Sequence, residues 1–156
     1  MQVSDQTVLA IKGLLQTKGY VDIPSHGVSM FPLIRTGNIC RFKPFCEKEL
    51  KTGDILLYFS DSGLLVGHRY LRQRSDGMQI LFICKGDSQA KDDPPLRREQ
   101  LIGTLVSIRK LRMVLRADSA LLSGWSKVIT RLPFVSVGIH WYLRLNRKLW
   151  GMKVLT

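Results

Sequence analysis

Between residues 20 and 114 the sequence breaks into short apolar segments, each closed by a turn signal, and this spacing leaves few folds open. YVDIP (20–24), NICRFK (38–43), ILLYF (55–59), LLVGHRYLR (64–72) and MQILFICKG (78–86) have the length and content of strands. Lys51-Thr52-Gly53-Asp54 and Asp61-Ser62-Gly63 read as turns between them, and Asp76-Gly77 as a hairpin turn. LIGTLVSIRKLRMV (101–114) reads as one long closing strand. Strands this short bury their apolar faces only by sharing a sheet, so a β barrel or sandwich is expected.

Helical patterns flank this region. Over residues 4–18, Val8, Ile11, Leu14 and Leu15 recur at helical spacing, with Ser4 as N-cap and Gly19 as terminator. Residues 118–132 and 134–150 read as two helices broken at Pro133. The expected fold class is therefore mainly β (α+β), with an N-terminal helix and a C-terminal helical pair. The organisation divides into a domain over 1–116 and a helical segment over 117–156.

Three stretches carry the residue types of nucleophilic catalysis: GVSMFPLIRTGN (27–38), GDILLY with VGHRYL (53–58 and 66–71), and KGDSQAKDD (85–93). A serine hydroxyl is a weak nucleophile at neutral pH and needs a neighbouring base. A neutral imidazole can take its proton, and a carboxylate on the other ring nitrogen orients the ring and stabilises the imidazolium. The chain supplies Ser29, His68, and Asp87 or Asp93 on successive elements. Arg69 is excluded as a base because guanidinium does not deprotonate in proteins. His26, close to Ser29, reads as a loop residue, and His140 as a packed or interfacial one. Taken alone, Ser29 is turn chemistry and His68 a half-buried strand histidine. Their joint order gives them weight.

In content and order these stretches resemble the type I signal peptidase family. Ser29-Met30-Phe31-Pro32 matches its Ser-Met-x-Pro box, and Gly53-Asp54 its Gly-Asp strand. His68-Arg69 matches the base position of the endoplasmic-reticulum-like branch, which uses His where most bacterial members use Lys. Lys85-Gly86-Asp87, with Asp93 six residues on, matches the acidic box of that branch. The resemblance covers about residues 25–110. It implies a serine endopeptidase that cleaves a leader or signal peptide from a precursor protein through an acyl-enzyme, without cofactor or metal. It implies Ser29 as nucleophile, His68 as base and Asp93 as orienting acid, with Asp87 as a supporting acid. The Ser29 backbone N–H is the expected oxyanion donor. Many relatives add a Ser hydroxyl where this chain has Gly27, which leaves the second donor open, with Ser25 nearby. Family members bind substrate by strand pairing, for which 20–25 and the strand around 78–85 are the candidates. Gly27-x-Ser29-Met30 is also the pattern of LexA-like self-cleaving repressors, which share the fold but use a Lys base. A self-cleaving regulator and a non-catalytic peptide- or membrane-binding module thus stand as alternatives.

Charge adds a partner class. From Arg109 onward there are ten Lys/Arg and one acid, Asp118, whereas the first 108 residues hold 14 basic and 11 acidic residues. The basicity belongs to the C-terminal segment, where Trp125, Trp141, Tyr142 and Trp150 interleave with Lys127, Arg131, Arg144, Arg147 and Lys148. That segment reads either as a helical hairpin packed on the β domain or as a binder of an anionic membrane surface. No DNA-binding helical domain is evident, so nucleic acid is not expected as a partner. No cleavable signal peptide and no apolar run of about 18 residues is visible; the expected location is cytoplasmic or peripheral at the membrane. The three cysteines, Cys40, Cys46 and Cys84, fit neither a disulfide framework nor a metal site.

Overall fold

The computed structural model describes residues 5–150, and the side chains of residues 6–146. The Ser4 cap, and the side chains of Arg147, Lys148 and Trp150, lie outside the described residues. Helix α1 (Asp5–Lys18) is followed by strands β1 (Val21–Pro24), β2 (Ile39–Pro44), β3 (Ile55–Phe59), β4 (Leu65–Ser75), β5 (Ile80–Lys85), β6 (Leu101–Lys110) and β7 (Met113–Arg116). Helices α2 (Ala120–Arg131) and α3 (Pro133–Trp150) complete the order. The class is α+β, a mostly antiparallel seven-stranded sheet with one N-terminal and two C-terminal helices.

The sheet order is β1-β2-β6-β3-β4-β5, with β7 paired to β6. Strand β6 gives one edge to β2 and divides the other between β3 and β7. Strand β4 lies between β3 and β5 and meets them over different stretches: residues 65–69 pair with β3 on one edge, and residues 69–75 with β5 on the other. The chain 101–114 is not one strand, as expected from its apolar run. It reverses at Leu111-Arg112, and 113–116 folds back on 107–110. Period-2 patterning does not register a tight reversal whose flanks keep the alternation.

Alternation across β3 explains why ILLYF has no polar break. Ile55 and Leu57 enter one core with Ile11, Leu15, Phe42, Leu105 and Ile108, while Leu56 and Tyr58 enter a second with Tyr70, Phe82 and Leu96. Helix α1 contributes Ile11 and Leu15 to the first core, but Leu14 lies on its exposed side. Helix α2 starts on a Ser119 cap whose hydroxyl accepts from the Leu122 N–H, and it buries Leu122 in that same core.

Candidate active site

Ser29 sits in the turn that leaves β1. The Phe31 N–H donates to Val28 O and the Ile34 N–H to Met30 O, and the buried Met30, Leu33 and Ile34 anchor the turn. The Ser29 carbonyl is held from the opposite side by the Ser88 N–H, at 2.9 Å. The Ser88 hydroxyl lies 2.8 Å from Val28 O and 3.1 Å from Ser29 O. A Cβ on Gly86 would come within 2.8 Å of Ser29 O, so the Lys85-Gly86-Asp87 turn approaches the serine this closely only with glycine there. Among the described residues no acceptor takes the Ser29 backbone N–H.

His68 is buried on β4, opposite Leu56. Its Nε2 lies 2.9 Å from Ser29 Oγ and its Nδ1 2.8 Å from Asp93 Oδ2. Asp93 is fixed through its own N–H, which donates to Cys84 O on β5. The Tyr58 hydroxyl donates to the same Asp93 Oδ2 at 2.9 Å. Burial, followed by the Asp93 charge, pushes the Tyr58 phenol far above its ordinary pKa, so it stays a donor. With a carboxylate facing Nδ1, that nitrogen carries the ring proton and Nε2 is left to accept from Ser29.

Strand alternation separates the two acids. Adjacent side chains on a strand point to opposite faces, so His68 turns to Asp93 and Arg69 turns away. Arg69 Nε and Nη2 donate to the two Asp87 oxygens at 2.7 and 2.8 Å, and Nη1 donates to Gly53 O at 2.7 Å. The Trp125 indole N–H, from α2, donates to Asp87 Oδ2 at 2.8 Å. Asp87 and Arg69 are both buried, and both Asp87 oxygens are engaged by this bidentate pair and the indole. Trp125, read from sequence as interleaved in the basic segment, is thus partly buried against the site's supports.

Other sequence candidates lie apart from this relay. His26 is exposed on the rim of the cleft. The Ser25 hydroxyl is spent on the loop, 2.6 Å from Arg35 O and 2.9 Å from Asn38 O, rather than turned to Ser29. Sequence reasoning missed Tyr58 and Ser88. For Tyr58 a signal existed: a phenol inside a continuous apolar strand needs a buried partner. Ser88 gave none.

The relay opens onto a cleft of about 640 Å³ lined by Ile23, Met30, Phe42, Leu57, Leu65 and Val66 among others. Two strand edges flank it. β1 is terminal in the sheet, and among the described residues nothing pairs with the edge of Leu65–Gly67 away from β3. The strand around 78–85, expected as a candidate substrate edge, has part of its outer edge already occupied, by the Phe82–Leu96 bridge and by the bond from Asp93 N–H to Cys84 O. Among the described residues no three His, Cys, Asp or Glu converge as a metal site, and no helix is long and apolar enough to cross a membrane.

Over 66 residues the chain is 35% identical to Signal peptidase I W of Bacillus subtilis (strain 168). The match covers 42% of this chain and 35% of that protein, so the chain is matched to about a third of the relative's length. No protein-family model matches. The likeness is to a signal peptidase I, at the level of the family.

Proposed function

We propose that this chain is a serine endopeptidase of the signal peptidase I kind, cleaving a leader or signal peptide from a precursor protein. The observation that carries the reading is the continuous Ser29–His68–Asp93 hydrogen-bonded relay at the mouth of an apolar cleft. His68 Nε2 takes the Ser29 proton as Oγ attacks the scissile carbonyl. Asp93 holds the imidazolium, and the Ser29 N–H donates to the oxyanion. His68 then returns the proton to the leaving amine, and water releases the acyl group by the same steps. The substrate lies extended between β1 and the free edge of Leu65–Gly67, adding a strand on either side. Asp87 acts through Arg69 and Ser88 as a support of the site.

The test is incubation of the chain with leader-peptide precursors, with lipid or detergent present, and mapping of the products by mass spectrometry. Cleavage at one site, lost by about ten-thousand-fold in Ser29→Ala and in His68→Ala, is expected. Cleavage unchanged in Ser29→Ala, or none of any precursor, would overturn the reading. Fragments of the chain itself, absent in Ser29→Ala, would point instead to a self-cleaving regulator.

A further inference from the structure

Helix α3 has an apolar stripe on the wrong side for a solvated helix. Its covered positions are Val135, Ser136, Ile139, Leu143 and Asn146. At 3.6 residues per turn, Phe134, Val137, Trp141 and Leu145 form a stripe on the opposite side. Phe134 is 67% exposed, Trp141 55% and Leu145 54%. Helix α2 repeats the pattern: Leu122 and Ile129 are buried, while Leu121, Val128 and the C-cap residue Leu132 are exposed. A surface helix ordinarily presents charged and polar residues outward. Here large apolar side chains occupy that place on both helices.

The charge around the stripes has one sign. Residues 119–156 hold six Lys/Arg and no Asp or Glu. Among the described residues Lys127, Arg131 and Arg144 form no ion pair; Arg144 lies over the Trp141 ring, 5.6 Å from its centre. Exposed aromatic and aliphatic side chains bordered by unpaired cations match the boundary between anionic headgroups and acyl chains.

We infer that the α2–α3 pair is a docking surface for an anionic lipid membrane, with the α3 stripe entering the headgroup–acyl boundary and Lys127, Arg131 and Arg144 on the headgroups. The surface adjoins the serine loop: Tyr142 on α3 stacks on Phe31, two residues beyond Ser29, with ring centres 6.3 Å apart. A membrane-borne peptide would therefore meet the cleft close to the bilayer. The lipid contact itself does not depend on hydrolysis.

Co-sedimentation of the full chain with vesicles tests this. The chain is expected to pellet with phosphatidylcholine vesicles containing phosphatidylglycerol and to stay in solution with phosphatidylcholine alone. Trp141→Glu with Leu145→Glu removes the stripe, and Arg131→Glu with Arg144→Glu, which leaves the stripe intact, reverses the charge. Each pair is expected to weaken binding by about tenfold or more. Ser29→Ala is expected to bind like the parent, which keeps this result apart from the peptidase reading. The inference is overturned if the parent stays in solution with the anionic vesicles, or if both pairs bind like the parent. It is also overturned if light scattering finds a dimer that Trp141→Glu dissociates while vesicles capture nothing, since the stripe is then a contact with a second copy.

Discussion

At the residue scale, two neighbours on β4 face opposite ways and take different partners. His68 reaches Ser29 and Asp93, while Arg69 is locked to Asp87, Gly53 O and, through Asp87, Trp125. The two acids should therefore fail in different ways. Asp93→Asn would place an amide donor against Nδ1 and favour the wrong imidazole tautomer. If the proposed peptidase function holds, its cleavage rate should fall by about a hundred- to ten-thousand-fold with the melting temperature nearly unchanged. Asp87→Ala leaves a buried guanidinium unpaired and should destabilise the fold by about 3–5 kcal/mol. Turnover and thermal denaturation of both variants check this. Equal stability loss in the two would mean that the acids are not divided between catalysis and support.

At the element scale, α2 is seated on the turn before β3. Ser126 Oγ donates to Gly53 O, and a Cβ on Gly53 would lie 1.8 Å from Ser126 Oγ, at a φ of +97°. Gly53→Ala should then lift α2 and strain the turn, at a cost of about 1–3 kcal/mol. Adding Ser126→Gly should restore part of that loss but not the backbone strain, as urea denaturation would show. Strands β1 and β2 are clamped across their pairing by Asp22 and Arg41, 2.7 Å apart. The hydrogen bond from Arg41 holds the Asp22 carboxyl below its ordinary pKa. A lowered folded-state pKa adds stability that is complete above the unfolded carboxylate value near 4 and lost as pH falls through the folded value. Both side chains are partly solvated, so the effect should be at most about 1 kcal/mol. The melting temperature of Asp22→Asn should trail the parent's at neutral pH and converge with it on acidification. A gap that widened in acid would contradict the sign.

At the scale of the whole molecule, the two cores lie on either side of one sheet, and each holds a cysteine. Cys40 lies in the core shared with α1 and Cys84 in the other. Burial pushes the Cys40 thiol up to about 12 and raises Cys84 as well, so neither supplies thiolate at neutral pH. Cys46 is only half-buried. Iodoacetamide should therefore label Cys46 alone in the native protein and all three cysteines in denaturant. Because the cores share strands, Cys40 and Cys84 should become reactive together along a urea series, as two-state unfolding requires. Separate onsets would show that the cores melt independently.

Period and punctuation in the sequence determined the strands before residue 100, the flanking helices and the break at Pro133. Each of these follows from local rules: alternation, turn residues and caps. The sequence also supplied the serine, the histidine and two acids in order. Only the tertiary structure decided which acid faces His68 and which faces Arg69, because that depends on the pleat of β4 and on where the loop after β5 is clipped back at Cys84. The same holds for Tyr58, Ser88 and Trp125, whose partners are 35, 59 and 38 residues away. It holds too for the partly occupied outer edge of β5 and the reversal within 101–114, since strand pairing is a contact between distant segments that no local pattern encodes.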